Sequence, residues 1–397
     1  MKPIAILFFI CLTDVLGFGI IIPLLPYIGL RMGATPDLIT PIMASYSLCQ
    51  FIAAPIWGRL SDRFGRRPVL LLALTGLGLS YVMLAFATSI AWLLASRMFA
   101  GFMAGNLSAA MAYASDVTTP EERAKGLGLI GAAIGIGFAL GPALGGILAG
   151  EDQASANFVL PALVSASLSL LALLGVWLLL PESHPASKRV ARSAAHKRAN
   201  SPLALLRRKV DLRWLVLAAV LVTVGHGILE SIAAIWAKGA FGFGPRRAGL
   251  LILEIAVFAI IMQGRIVGLL VPRFGEKRIA ISGIVIYMAG LAVLASVHTI
   301  APAMVGLALC GVGAGAFTPC ASALASKQAE PHERGAVLGT YQASSSLARI
   351  FGPAASGPLY SHVSTVAPFV AAMCALAPAI WFVNRLRSAE RDRPAGG

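Results

Sequence analysis

Three carboxylates stand where charge is expensive. Asp14, Glu230 and Glu254 are the acids set deep inside long apolar stretches of the sequence. A charged side chain at the centre of a bilayer costs about 2.5–3.5 kcal/mol on insertion scales, so such groups face a partner or a wet cavity. A carboxylate held there can change protonation as access alternates from one side to the other. One proton moved across about 100 mV supplies roughly 2.3 kcal/mol, enough to drive useful accumulation of a solute. Arg97 and Arg349 lie in stretches of the same kind. Arg349 could neutralise Glu230 or Glu254, or bind an anionic substrate. His226 lies one turn before Glu230 and could join a relay, although a lone helical histidine is more often a satisfied hydrogen-bonding residue.

Polar and aromatic residues in these stretches could orient a substrate. They are Tyr46, Gln50, Asn106, Tyr113, His226, Trp236, Gln263, Tyr341 and Gln342, with Arg349. Singly, each is more often a packing or lipid-interface residue; as a set they could outline a mixed polar and apolar site. There is no phosphate loop, no metal-ligand cluster and no nucleophile–base constellation, so the sequence predicts no enzyme, no metal and no cofactor. The cysteines Cys11, Cys49, Cys310, Cys320 and Cys374 read as small packing residues, not disulfides.

The elements that carry these residues follow from composition. The 397-residue chain is 58% hydrophobic and 12% charged, against about 25% charged in soluble domains. Its apolar residues fall into twelve blocks, near 4–30, 37–58, 68–88, 90–112, 124–150, 156–181, 212–238, 246–272, 277–297, 299–325, 334–360 and 364–386. Blocks of about 20 residues span a bilayer as helices. Helices satisfy their own backbone in lipid, so the chain is predicted to be an all-α membrane protein with twelve transmembrane helices, helix 1 to helix 12.

The net charge of +15 would suggest nucleic acid in a soluble protein. Its distribution instead gives topology. With the N-terminus in the cytoplasm, 25 of the 32 lysines and arginines fall in cytoplasmic segments, four in outer loops and three within helices. That bias predicts both termini in the cytoplasm, with membrane lipid rather than nucleic acid as the surroundings.

Residues 182–211 break the apolar rhythm with Pro, Ser, His and a run of basic residues, and read as a cytoplasmic linker with a short surface helix around 202–210. The linker divides the chain into residues 1–181 and 212–397, six helices each. The halves repeat: Gly65 matches Gly275, Gly101 and Gly105 match Gly311 and Gly315, Arg123 matches Arg334, and Gly141-Pro142 matches Gly352-Pro353, at offsets of 210–211. An even number of helices per half makes the halves parallel. They are related by an axis along the membrane normal, with a pathway between them near the midplane.

The turn between helices 2 and 3 reads Gly58-Arg-Leu-Ser-Asp62-Arg63-Phe-Gly65-Arg66-Arg67. Its glycines allow a tight turn. Asp62 could be attracted to the start of helix 11, and Asp116, at the end of helix 4, could pair with Arg66. The second copy, Arg273-Phe-Gly-Glu-Lys-Arg278, has no acid matching Asp62. Helix 5 carries Gly131, Gly135, Gly141, Pro142, Gly145 and Gly146. Small residues at spacing four let helices approach closely, and Pro142 kinks the helix. We expect a tight seam with the other half that opens and closes.

These residues together resemble the major facilitator superfamily, and within it the twelve-helix drug:proton antiporters of the tetracycline-exporter group. The resemblance rests on the helix 2–3 turn, Asp14-x-x-Gly17 with Pro23 and Pro26, Arg97-x-x-x-Gly101-x-x-x-Gly105, and the helix 5 glycine pattern. It covers the whole chain. It implies the major facilitator fold of two pseudo-symmetric six-helix bundles. It implies a turn cluster (Gly58, Asp62, Arg63, Gly65, Arg66, Arg67, Asp116) that latches the halves in the outward-facing state. It implies that Arg97 tunes a nearby acid's proton affinity, and that helix 5 marks export rather than uptake.

The expected function is therefore a proton-coupled antiporter exporting small amphipathic organic molecules by alternating access. It would be a monomer in a bacterial inner membrane, with protons and a small-molecule substrate as partners and with Asp14, Arg97, Glu230 and Glu254 in proton coupling. Tetracycline exporters, however, carry acids at the positions of Ser80 and Tyr287, which argues against tetracycline itself. The alternative is a transporter of one anionic metabolite, such as a siderophore or sugar phosphate, served by Arg97 and Arg349.

Overall fold

The computed structural model describes residues 3–119, 122–183, 202–329 and 333–386. Most of the linker, residues 184–201, lies outside the described residues, as does the tail from residue 387. Among the described residues the structure is helical, without strands.

Among the described residues eleven helices are long and apolar enough to cross a membrane: helix 1 (Pro3–Arg31), helix 2 (Pro36–Phe64), helix 3 (Arg66–Ala85), helix 4 (Ile90–Val117), helix 5 (Lys125–Ala149), helix 6 (Val159–Leu179), helix 7 (Val210–Phe241), helix 8 (Pro245–Phe274), helix 9 (Glu276–Ser296), helix 10 (Ile300–Lys327) and helix 12 (Ala367–Asn384). Helix 11 (Arg334–His362) has 29 residues and ample length. It is less apolar because it carries Arg349, three consecutive serines and Pro353 and Pro358. Twelve spanning helices result. The linker contributes the short helix Pro202–Arg208.

Three helices are interrupted. Helix 1 passes through a 3-10 turn at Ile22–Leu24, around Pro23. Helix 4 breaks between Met103 and Asn106. Helix 8 holds a π-turn at Met262–Ile266. Freed backbone groups at such breaks need partners inside the protein. At the helix 4 break, Trp57 Nε1 donates to Phe102 O (2.5 Å). Its indole lies where a Cβ on Gly105 would be.

The repeat is visible in the two matched turns. Gly65 ends helix 2 at φ 105° and Gly275 ends helix 8 at φ 77°. Both are left-handed positions that glycine occupies without penalty.

The chain divides into two compact units. The first comprises Met1–Ala191, Glu230–Leu253 and Pro353–Thr365; the second comprises Arg192–Leu229, Glu254–Gly352 and Val366–Gly397. In the first unit, helix 1 crosses helix 5 backbone against backbone. A Cβ on Gly141 would lie 2.6 Å from Gly19 C, and one on Gly137 2.9 Å from Leu16 N. The second unit uses the same device between helices 9 and 10, where a Cβ on Gly290 would lie 2.6 Å from Gly306 O. Close approach through small residues replaces the hydrophobic drive that lipid does not supply. The cysteines are unpaired; Cys11, Cys310 and Cys320 are buried, while Cys374 is exposed on helix 12.

The second unit also ties down its linker helix. Glu333, just before helix 11, pairs with Arg208 and with Lys209 Nζ (3.0 Å), and Lys209 also donates to Gln328 O (2.9 Å). The Lys209 hydrogen bond, with that of Arg208, holds the Glu333 carboxyl below the usual glutamate range. A depressed acid stabilises the folded state above the unfolded value of about 4.3, and the contribution is lost as pH falls through the lower folded value. Amide exchange across residues 204–209, corrected for intrinsic rates, should therefore stay slow at neutral pH and accelerate only below about pH 4. Glu333→Gln should be fast at both.

Candidate functional site

Asp14 lies in helix 1 at 8% exposure. Its Oδ2 accepts a hydrogen bond from Asn106 Nδ2, and its Oδ1 has no partner among the described residues. Asn106 reaches it because it opens the second segment of helix 4, just past the break at Ala104–Gly105. A cavity of about 10 Å³ adjoins the carboxylate, lined by Ile10, Cys11, Leu70, Leu74 and Ala110 among others. That is about the room one water needs. The break in helix 4 thus delivers one amide donor to an acid that is otherwise walled by apolar side chains.

Arg97, in the first segment of helix 4, is 1% exposed. Its guanidinium lies 5.9 Å from the centre of the Tyr81 ring, and Nε and Nη2 find no hydrogen-bond acceptor among the described residues. Tyr81 and Tyr46 are the neighbours that feel its charge; Tyr81 also feels that of Asp14. Tyr46 packs its ring on Phe18 at 4.7 Å. One corner of the first unit therefore holds Asp14, Asn106, Tyr81, Arg97 and Tyr46.

The remaining acids are separate features. Glu230 is half-buried on helix 7, in the first unit. Glu254 is half-buried on helix 8, in the second unit, with Oε2 buried and unpartnered among the described residues. His226 Nδ1 lies 3.2 Å from Tyr287 Oη, so the histidine and the tyrosine at a position where tetracycline exporters carry an acid meet. Ser80, at the other such position, donates to Leu77 O (2.6 Å) within its own helix. Both positions are thus filled by uncharged, hydrogen-bonded side chains. Trp236 packs edge-on against Phe241 at 5.3 Å, and Tyr341 bonds Ser322. Gln50 is half-buried, while Gln342, Gln263 and Arg349 are exposed.

The helix 2–3 turn is organised around Arg66. Its Nη1 donates to Asp62 Oδ1 (2.7 Å) and Ser61 Oγ (3.0 Å), and its Nε to Asp116 Oδ2 (3.1 Å). Asp62 is largely exposed. Arg63 stacks over Phe64, and Gly58 meets open space. The member that sequence reasoning missed is Glu182, read there only as the start of the linker. Its two carboxylate oxygens accept the backbone N–H groups of Arg66 (2.9 Å) and Arg67 (3.1 Å). Those N–H groups begin helix 3 and have no intrahelical acceptor, and an anion there also meets the positive end of the helix. Nearby, Tyr113 donates to Pro181 O, Arg67 to Trp177 O and Ser183 to Asp116. Glu182→Gln keeps the shape but removes the charge. It should cost about 1 kcal/mol of stability, seen as a lower melting temperature in detergent.

The second turn reverses the charges. At the position matching Arg66 stands Glu276, and its partner is Lys327 Nζ of helix 10 (2.5 Å).

The helix 5 glycines point several ways. Gly141 and Gly145 meet helix 1 at Gly19 and Ile20. Gly146 and Pro142 meet the start of helix 8: a Cβ on Gly146 would lie 2.6 Å from Pro245 O, and one on Gly249 would overlap Pro142 O. At Gly131 and Gly135 a Cβ would meet nothing within 4 Å. Around the helix 8 contact, Tyr27 donates to Phe243 O (2.7 Å), Arg246 N to Gly150 O (3.1 Å), and Arg246 Nη1 pairs with Glu151 (2.7 Å). On helix 11, Gly357 N donates to Thr40 Oγ1 (2.9 Å). All of these contacts lie within the first unit.

Twelve membrane-length helices in a repeated pattern make a multi-pass membrane protein, and sequence comparison gives its family. The Major Facilitator Superfamily sequence model matches residues 7–270 and 264–397. The chain belongs to the major facilitator superfamily. It is 34% identical over 366 residues to the class C tetracycline resistance protein of Escherichia coli, covering 88% of this chain and 87% of that protein. It is 28% identical over 365 residues to multidrug resistance protein 2 of Bacillus subtilis, covering 89% of this chain and 88% of that protein. The crystal structure of the human organic anion transporter MFSD10 (TETRAN) superposes with a TM-score of 0.71 at 26% identity, covering 96% of this chain and 99% of that one.

Proposed function

We propose that the chain is a proton-coupled antiporter that exports small amphipathic organic molecules from the cytoplasm of a bacterium, with both termini on the cytoplasmic side. The observation that carries the reading is Asp14: an acid enclosed by apolar walls, held by one amide donor, with an open oxygen beside a water-sized cavity. Such a group can bind a proton and be reached from alternate sides in turn. Arg97, buried in the same unit beside Tyr81, takes the role of tuning that exchange in this reading. The relatives named for tetracycline and multidrug resistance support an amphipathic substrate. The uncharged Ser80 and Tyr287 argue against tetracycline as that substrate.

Alternating access needs a seam that opens. We read as that seam the contacts of helix 5 at Pro142 and Gly146 with Pro245, Arg246 and Gly249 of helix 8, together with the nearby Tyr27–Phe243 and Arg246–Glu151 bonds, on the face away from the linker. The test uses everted vesicles with an acid interior. Adding a transported compound should release protons from the lumen; no release with any compound that the chain moves would overturn antiport.

A second reading is transport of one organic anion. It is favoured by the exposed guanidinium of Arg349 within helix 11 and by the likeness to the human organic anion transporter. Uptake of a single anion that Arg349→Ala abolishes, without any resistance phenotype, would decide for it.

A further inference from the structure

The second unit carries an arginine–aromatic cluster where helix 7 begins and helix 12 ends. Trp214 stacks on Phe382 at 5.5 Å and 17°, and Trp381 packs edge-on against Trp214 at 5.5 Å. Arg385 lies over the Trp381 ring at 4.6 Å and Arg213 over Trp214 at 5.1 Å. Arg213, Arg385 and Trp381 are exposed. Among the described residues neither guanidinium has a carboxylate partner. Asp211, in the first turn of helix 7, lies two residues before Arg213 and so about 200° around the helix.

The placement names the occupant. Both arginines lie at the linker-side ends of their helices, where a bilayer gives way to headgroups. Tryptophan favours that depth because its ring is apolar and its N–H polar. An arginine stacked on a ring keeps its N–H fork free in the ring plane, and that fork matches a phosphate bidentately. On helix 7, Leu217 is exposed one turn deeper on the same side, offering an apolar surface for an acyl chain. Basic clusters at helix ends on the cytoplasmic side attract anionic lipids. We propose that Arg213 and Arg385, on the Trp214–Trp381–Phe382 platform, bind the phosphate headgroup of an anionic phospholipid of the linker-side leaflet.

The test places the full chain in phosphatidylcholine vesicles containing a fixed fraction of brominated phosphatidylglycerol or, separately, brominated phosphatidylcholine. Bromine quenches indole on contact, and the difference between wild type and W214F/W381F isolates these two tryptophans. Two arginines near the surface correspond to local enrichment of an anionic lipid of roughly thirtyfold. The isolated signal should therefore be quenched more by the anionic lipid. The excess should vanish in R213Q/R385Q and persist in R278Q, which removes an exposed arginine near the same membrane face. Equal quenching by both lipids, or an undiminished excess in R213Q/R385Q, overturns the proposal. Native mass spectrometry of wild type and R213Q/R385Q gives an independent reading that needs no tryptophan variant. Retention of phosphatidylglycerol should fall in the double variant, and equal retention overturns the site.

Discussion

Asp14→Asn should convert a concentrating transporter into one that only equilibrates its substrate. The substitution is nearly isosteric, and an asparagine oxygen can still accept the hydrogen bond from Asn106. The corner therefore keeps its packing, and the protein should fold with unchanged melting behaviour. What disappears is the proton. If one net charge crosses per cycle at about 100 mV, the drive of roughly 2.3 kcal/mol corresponds to an accumulation ratio of about 50-fold. In proteoliposomes the variant should lose that gradient-driven ratio, ending near about 1, while substrate exchange down its own gradient continues. Substrate-dependent proton release should be absent in the same preparation. Full accumulation by Asp14→Asn would move the proton site elsewhere, with Glu230 and Glu254 the next acids to replace.

Gly249→Leu should stop transport by a different route, through shape rather than charge. A Cβ at this position already overlaps the carbonyl oxygen of Pro142 and lies 3.3 Å from Gly146 Cα. Both obstacles are backbone, so no side-chain rotation relieves them. Helix 8 must then stand off helix 5, and the neighbouring bonds, Tyr27 to Phe243 and Arg246 to Glu151, lose their geometry. Helix 1 and helix 5 keep their own crossing at Gly19 and Gly141, so the bundle should still fold. Transport should be lost. A cysteine placed at Ala234, buried in the cluster with Tyr27 and Ala248, should react quickly with a membrane-impermeant thiol reagent in this background and slowly without it. Wild-type transport with slow labelling would show that this seam does not open during the cycle.

Under the proposed proton-coupled alternating access, the two variants separate coupling from motion: Asp14→Asn should remove the coupling ion and leave the motion, and Gly249→Leu should remove the motion and leave the coupling group intact. The linker clasp at Glu333 and the cap at Glu182 belong to neither; they hold the ends of helices in register on the linker side.

Much of this protein was legible in the order of its residues. Spanning helices follow from local sums of hydropathy, and the sum changes little with what surrounds it; even helix 11, weakened by serines and prolines, keeps its length. The repeat offset of 210 needs no coordinates, and Gly65 and Gly275 take the same left-handed turn. The Arg66–Asp116 pair, suggested by motif and helix ends, is met at 3.1 Å. What the sequence could not decide was direction around each helix axis and company across the chain. Gly131 and Gly135 share the spacing of Gly141 and Gly145. Yet they lie about 80° and 120° around the helix from Gly141, and they face open space rather than helix 1. Glu182 is 116 residues from Arg66 and looks like linker until the ends of helices 3 and 6 are brought together. The second turn reads only as lacking an acid matching Asp62 until the contact of its Glu276 with Lys327 shows a charge-reversed pair. Hydropathy and repeats are properties of neighbours in the chain, whereas pairs, caps and seams are properties of neighbours in space, fixed only when each helix has packed and its rotation is set.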